Sequence, residues 1–331
     1  MKKLVKRTAC AVLCAVTALG AVSCGSQNNK FASTKAEREV VMTVGGREVQ
    51  YQEFRYYFLN NKRDSYGADA VLTAEQIDEI LEMTEENAKT RYALLLLAEK
   101  YGTGVTEVDI KEANAYVDGY RTGSFDSDED YLVALSHNFL TDELFRSLQS
   151  ETTLAYTVLA KMKESGDIKT DSETMDAAFA SDSILCLKEV YIDRNKYDSE
   201  EAARTRAEEA LTKLMEGAEF EDVMEDYSDY DTASLSPEHG YYTMKYDALD
   251  VVWDTAEKLA EGEHSYVVES EYGYHIILRA PKDYEYMNEI RESIVENYSY
   301  ARFGEIFYPF METLEIEYTE YGSSLDLTAI S

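Results

Sequence analysis

The hydrophobic period of this chain changes at Ile184, and one element type cannot accommodate both sides of the change. From Tyr51 to Asp182 apolar residues recur at three- and four-residue spacing, the period of helices. The run ILCLKEVYI (184–192) is instead short, apolar and rich in β-branched and aromatic residues, as strands are. A helical block and a sheet-containing block must therefore coexist.

Start and stop signals divide the helical block. Thr73-Ala-Glu-Gln76 forms a capping box. It opens a helix with Ile77, Ile80, Leu81 and Leu94–Leu97 on its apolar side, ending near Gly102. Thr106 caps the next, with Val108, Ala113 and Val117 expected inside. Further helices are expected over 129–136, 141–163 and 172–180.

Beyond Ile184, Asp198-Ser-Glu-Glu201 reads as a second capping box, before Ala203, Ala207, Ala210, Leu211 and Leu214 at helical spacing and a stop at Gly217. FEDVMEDYS (220–228) and 249–259 read as helices. Residues 266–269 and 274–279 read as strands with a turn at Tyr272-Gly273. The block 184–280 is thus β-α-α-loop-α-β-β, about 100 residues, a common domain size.

Two outer segments remain. VVMTVGGREVQ (40–50) reads as a hairpin about Gly45-Gly46. An amphipathic helix is expected over 285–312, followed by the β-run LEIEYTEY (314–321). A two-stranded ribbon is marginal alone, so the last strand and the hairpin should pair. The expected fold class is α+β: a helical domain built from N- and C-terminal segments, with the 184–280 block inserted.

The N-terminus begins MKKLVKR and continues apolar from Ala9 to Val22, the layout of a secretory leader. Ala21-Val22-Ser23-Cys24 resembles the lipobox of bacterial lipoproteins, which implies lipidation at Cys24, a membrane anchor and an extracytoplasmic location. The polar GSQNNKFASTKAE that follows suits a flexible tether. Cys10 and Cys14 leave with the leader and Cys24 is acylated, so Cys186 has no disulfide partner. The run Leu94–Leu97 is far too short to span a bilayer.

Charge excludes one class of partner. Asp and Glu number 65 against 32 Lys and Arg, a net charge of −33. Loss of Lys2, Lys3, Lys6 and Arg7 with the leader takes four cations from −33 and leaves −37. Such a chain repels nucleic-acid phosphates. The acids read as a solubilising surface that also attracts basic polypeptide segments.

His137, His239, His264 and His275 lack metal-ligand spacing, and no CxxC occurs. Asp126-Ser-Asp128-Glu-Asp130 imitates the start of a calcium loop. Its sixth position is Tyr131 instead of Gly, and its twelfth is His137 instead of Glu. No metal and no cofactor are expected. The 27 tyrosines read mainly as packing residues, although a tyrosine-lined groove would suit capture of unfolded chain.

Within 184–280, Gly217-Ala-Glu-Phe220, Ser228, Gly240, Gly262-Glu-His-Ser265 and Tyr272-Gly-Tyr-His-Ile-Ile277 occur in an order and spacing that resemble the parvulin-type peptidyl-prolyl isomerase domain. With the lipobox and flanking helices, the whole chain is similar in layout to PrsA-like foldase lipoproteins and, more distantly, to SurA-like chaperones. The resemblance implies prolyl cis–trans isomerisation, with unfolded or newly secreted polypeptides as partners and a homodimer as an allowed assembly. It places the catalytic positions on His275, Glu189, Tyr230 and Asp231, and substrate binding on Leu249, Trp253, Tyr242 and Met244.

The chain departs from the family pattern at two of these polar positions and at one turn. Glu189 stands where the family has a histidine on the first strand. Tyr230, with Asp231 after it, stands where the family has Asp or Cys. Ser236-Pro-Glu-His-Gly240 replaces a Gly-Gly-Asp-Leu-Gly turn. A charged glutamate beside His275 is expected to favour the imidazolium.

The implied organisation is a leader (1–23), a lipid-anchored tether (24–39), a helical chaperone domain (40–183), the isomerase-like domain (184–282) and a C-terminal helix and strand (283–331) packing back on the helical domain. The departures leave two readings open: an active isomerase, or a non-catalytic chaperone with a degenerate domain. A third reading, a transporter's solute-binding lipoprotein, requires repeated βα units, and residues 51–182 have none.

Overall fold

The computed structural model describes residues 31–230 and 238–330. The leader, Cys24, Asp231 and Ser236-Pro237 lie outside the described residues. The chain divides into two compact units; among the described residues, one holds 31–164 with 306–330 and the other holds 165–305.

In the first unit β1 (Val40–Val44) and β2 (Arg47–Gln50) form the expected hairpin about Gly45-Gly46. Helices α1 (Tyr51–Tyr66), α2 (Ala74–Lys100), α3 (Glu107–Ser124), α4 (Asp128–His137), α5 (Asp142–Ser150) and α6 (Leu154–Ser165) follow. Thr73 and Gln76 close a reciprocal capping box at α2, and Thr106 and Asp109 close another at α3. Ser127 caps α4, so the acidic run 126–130 serves a helix start.

Two expectations for the helices of this unit are corrected. Val108 points outward, 62% exposed, because the first turn of α3 precedes the buried stripe of Ala113 and Val117. The helix expected over 141–163 is broken at 151–153. There Thr152 turns its hydroxyl back onto the Gln149 carbonyl at 3.0 Å, a local bond that competes with helix continuation.

Near the C-terminus, β7 (Ile316–Tyr318) pairs antiparallel with β1, with Met42 opposite Tyr318 and Val44 opposite Ile316. The sheet order is β2-β1-β7, so the two ends of the sequence share one sheet as expected. The β-run expected to reach residue 321 stops at Tyr318, because Thr319 caps a short turn of helix over Glu320–Ser323.

The second unit begins with α7 (Ser172–Phe179). Then come β3 (Leu185–Asp193), α8 (Glu200–Met215), α9 (Phe220–Tyr227), β4 (Tyr241–Thr243), α10 (Asp250–Ala256), β5 (Val268–Glu269), β6 (Gly273–Ala280) and α11 (Tyr284–Glu289). A final helix, α12 (Arg291–Glu312), has its residues divided between the units after Glu305. The helix expected from 285 to 312 is thus interrupted at Ile290, which ends α11. The cap of α8 is Ser199, whose hydroxyl accepts from the Ala202 amide at 3.2 Å; Asp198 lies one residue too early.

Sheet order here is β4-β3-β6-β5, antiparallel throughout. Alternation along β3 sends its residues to two faces. Val190 and Ile192, with Tyr274 and Ile276 of β6, pack under α8 and α9. Cys186, on that same face, joins a cluster with Met175 and Phe179 of α7, Met287 of α11 and Ile294 of α12. On the other face Leu185, Leu187 and Ile277 pack against Val252, Trp253 and Ala256 of α10. The fold is α+β with an inserted parvulin-like domain among helical segments, as expected.

Candidate functional site

The row of inward residues on the α10 face runs Leu185, Leu187, Glu189, Tyr191. Its first half is apolar and its second half is polar. Opposite that polar half, β6 places His275 in register with Tyr191 and Ile277 in register with Glu189. His275 and Glu189 are therefore diagonal neighbours, a separation that long side chains bridge. His275 is 1% exposed and Glu189 is 5% exposed. Buried groups of this kind require hydrogen-bond partners.

Each has them. The Glu189 carboxylate contacts His275 Nδ1 through Oε1. Through Oε2 it accepts from the Tyr241 hydroxyl at 2.8 Å. Tyr241 lies on β4, in register with Leu187, and so reaches Glu189 from the opposite diagonal. His275 Nε2 lies 2.7 Å from Ser270 Oγ.

A donor count fixes the ring. Ser270 Oγ already accepts from the Tyr272 and Gly273 amides at 3.1 and 3.2 Å, which occupies both lone pairs. Its hydrogen then goes to His275 Nε2 at 2.7 Å in preference to the Gly273 carbonyl at 3.4 Å. In this arrangement Nε2 accepts from Ser270 and Nδ1 faces the Glu189 carboxylate as its donor.

Two glycines permit this register. A Cβ on Gly273 would stand 2.0 Å from the Ile192 carbonyl oxygen, so only glycine lets β6 start beside β3. Gly240 has φ +74°, and a Cβ there would fall 2.8 Å from the Leu187 oxygen. Close approach at Gly240 sets the parity of β4, turning Tyr241 to the Glu189 face and Tyr242 away from it.

The sequence-derived site residues are accordingly divided. His275 and Glu189 are together. Tyr230 does not touch His275; it stacks on Tyr191 at 4.4 Å, and Tyr191 in turn lies 5.0 Å from the His275 ring. Ser228 and Asp229 hold Tyr230 there. Ser228 Oγ accepts from the Tyr191 amide at 3.1 Å, and the Asp229 amide donates to the Tyr191 carbonyl at 2.7 Å.

Trp253 is buried against Leu187 and Ile277, with Leu249 partly buried beside it, on the same sheet face as His275. Tyr242 and Met244 are in the opposite cluster with Cys186. There the Tyr242 hydroxyl donates to the Asp283 carbonyl at 3.1 Å and accepts from its amide at 3.0 Å. These two residues are not brought to His275. Tyr191 and Ser270 are, while Tyr241 reaches Glu189, and strand alternation from Glu189 would have reached Tyr191.

Burial, then the Glu189 charge, holds the Tyr241 phenol well above its ordinary range. Burial also raises Tyr230, with Glu189 next in effect. Burial and then Asp193 push Tyr191 up to about 12. All three phenols keep their protons near neutrality, so Tyr241 is a fixed donor. Among the described residues no group of three or more His, Cys, Asp or Glu is arranged to hold a metal ion.

Residues 184–280 match the Rotamase family, a PPIC-type PPIase domain. The chain carries a PPIC-type rotamase domain. Over 98 residues it is 32% identical to the foldase protein PrsA of Bacillus subtilis, covering 29% of this chain and 34% of that one. It thus spans about a third of the length of that curated relative. A crystal structure of PrsA from B. subtilis is similar at 21% identity and a TM-score of 0.28, over 84% of this chain and 93% of that chain. One of the foldase protein PrsA from Streptococcus pneumoniae is similar at 18% identity and a TM-score of 0.36, over 74% and 87%.

Proposed function

We propose that the rotamase domain accelerates cis–trans rotation about X–Pro bonds in unfolded polypeptides, with His275, Glu189, Tyr230 and Asp231 at the reacting bond. Leu249 and Trp253 would receive the proline ring. The reading extends to a foldase anchored by lipid at Cys24, outside the cytoplasm, acting on newly secreted chains. In it 40–183 and 283–331 form the chaperone domain around 184–282, with a homodimer as an allowed assembly. Among the described residues no helix is long and apolar enough to cross a membrane.

The observation that carries this reading is the buried carboxylate of Glu189, held between two donors beside the α10 face. Rotation breaks no bond but must overcome roughly 18–20 kcal/mol of amide resonance. Uncatalysed, it takes tens to hundreds of seconds. Resonance places negative charge on the amide oxygen, and twisting withdraws it. A fixed carboxylate near that oxygen opposes the planar form more than the twisted one, which lowers the barrier. The His275 Nδ1 contact and the Tyr241 hydroxyl hold that charge in place without reorganisation.

A second reading follows from a different observation. His275 is 1% exposed and both its nitrogens are engaged, which suits a residue that only ties β6 to β3. The domain would then bind chains without turning them. A protease-coupled assay on a short Xaa-Pro peptide separates the two. Acceleration supports the isomerase. No acceleration, together with suppressed aggregation of a basic unfolded protein, supports the second reading and ends the first.

A further inference from the structure

We infer that Tyr241 is a positioning residue of this site: its hydroxyl sets the hydrogen bond between Glu189 and His275. For rate effects this rests on the isomerase reading; for the state of His275 it does not.

Glu189 sits on β3, between β4 and β6. Its two oxygens are served from the two flanking strands, Oε2 by Tyr241 of β4 and Oε1 by His275 of β6. Both donors come from diagonal positions, so only long side chains reach. The family pattern has a histidine at position 189, and a neutral ring facing His275 needs no second donor. A buried carboxylate does, because each lone pair left without a donor carries the desolvation cost of a charge. A tyrosine at 241 supplies that donor, and burial keeps its proton in place.

The coupling has a definite sign. Removing the Tyr241 hydroxyl concentrates negative charge on Glu189 and strengthens its attraction for the His275 Nδ1 proton. Making the phenol a stronger donor does the reverse. Phenylalanine and 3-fluorotyrosine at 241 therefore push His275 in opposite directions, although both fill the same space.

The test is nitrogen-edited NMR of the full-length chain with labelled histidine. In wild type, His275 should show a protonated Nδ1 and an unprotonated Nε2. Tyr241→Phe should move the Nδ1 proton resonance downfield, and Tyr241→3-fluorotyrosine should move it upfield. The fluorinated chain preserves the test if the phenylalanine variant does not fold. An unmoved resonance in a folded variant, or an Nε2-protonated ring in wild type, overturns the inference.

On the isomerase reading, kcat/KM of Tyr241→Phe falls about tenfold, the equivalent of about 1.4 kcal/mol. A wild type that does not accelerate rotation at all removes that reading and leaves the spectroscopic result to decide the role of Tyr241.

Discussion

Glu189 and His275 meet on a diagonal of the β3–β6 ladder, with Tyr191 the residue directly opposite His275. A change at 189 therefore acts on His275 without displacing the cross-strand neighbour. Glu189→Ala leaves the His275 Nδ1–H and the Tyr241 O–H buried without an acceptor. At about 1–3 kcal/mol for each stranded donor, the variant should lose about 2–6 kcal/mol in urea unfolding. Glu189→His restores one acceptor and the family's residue. It should unfold closer to wild type and, on the isomerase reading, lower kcat/KM on an Xaa-Pro peptide about tenfold, because the fixed carboxylate is gone. Equal stability of the alanine variant and wild type would contradict the hydrogen-bond arrangement.

The close approach at Gly273 gives a prediction with an internal control. A Cβ there would lie 2.0 Å from the Ile192 oxygen, which belongs to rigid backbone, so β6 must shift to admit it. Gly273→Ala should cost about 3 kcal/mol and weaken the Ser270 bond to His275. Gly262 has φ +84° but open space around its missing Cβ. Gly262→Ala should cost only about 1–2 kcal/mol, the strain of a left-handed alanine. Similar losses in the two, read from thermal unfolding, would contradict a limiting contact at 273.

How much of this was legible in the sequence follows strand parity. Alternation along β3 puts Glu189 on the face of Leu187, and the motif around Gly273 marks His275. Tyr241 and Tyr242 are adjacent and chemically alike, and only the approach of Gly240 to the Leu187 backbone decides which one turns inward. That is a tertiary contact with no local signature. Ser270 was hidden for a related reason: its hydroxyl matters through two amides of the following turn. The helix break at 151–153 depends on a hydroxyl folding back on its own turn, where apolar spacing continues undisturbed.

In the unit containing residues 31–164, Arg91 of α2 joins two carboxylates. Its Nη1 lies 2.6 Å from Glu53 Oε2, and its Nη2 lies 2.6 Å from Glu151 Oε1. All three side chains are largely buried. Arg91→Leu would leave two acids without their counter-charge and should cost about 3–5 kcal/mol. Arg47 pairs with Glu99 at 2.5 Å with both side chains about half exposed, and Arg47→Leu should cost less than about 1 kcal/mol. The expected contrast is between the midpoints of the two variants in urea at low salt. A small loss at Arg91 would show that Glu53 and Glu151 do not depend on its charge in the native chain.

Asp247 gives the pH dependence. Burial raises its carboxyl above the ordinary range, against the opposing effect of the Thr243 hydroxyl that donates to it at 3.1 Å. The folded chain therefore holds this proton more tightly than the unfolded chain does. Its contribution to stability is fully present below the ordinary carboxylate value and is lost as pH rises through the raised value. Asp247→Asn keeps the shape and the acceptor for Thr243 but cannot ionise. Its urea midpoint, relative to wild type, should be higher at pH 7 than at pH 3. The difference should grow across the interval just above the ordinary carboxylate range and level off beyond it. A difference that is flat between pH 3 and pH 7, or largest at pH 3, would show that Asp247 ionises as freely in the folded chain as in the unfolded one.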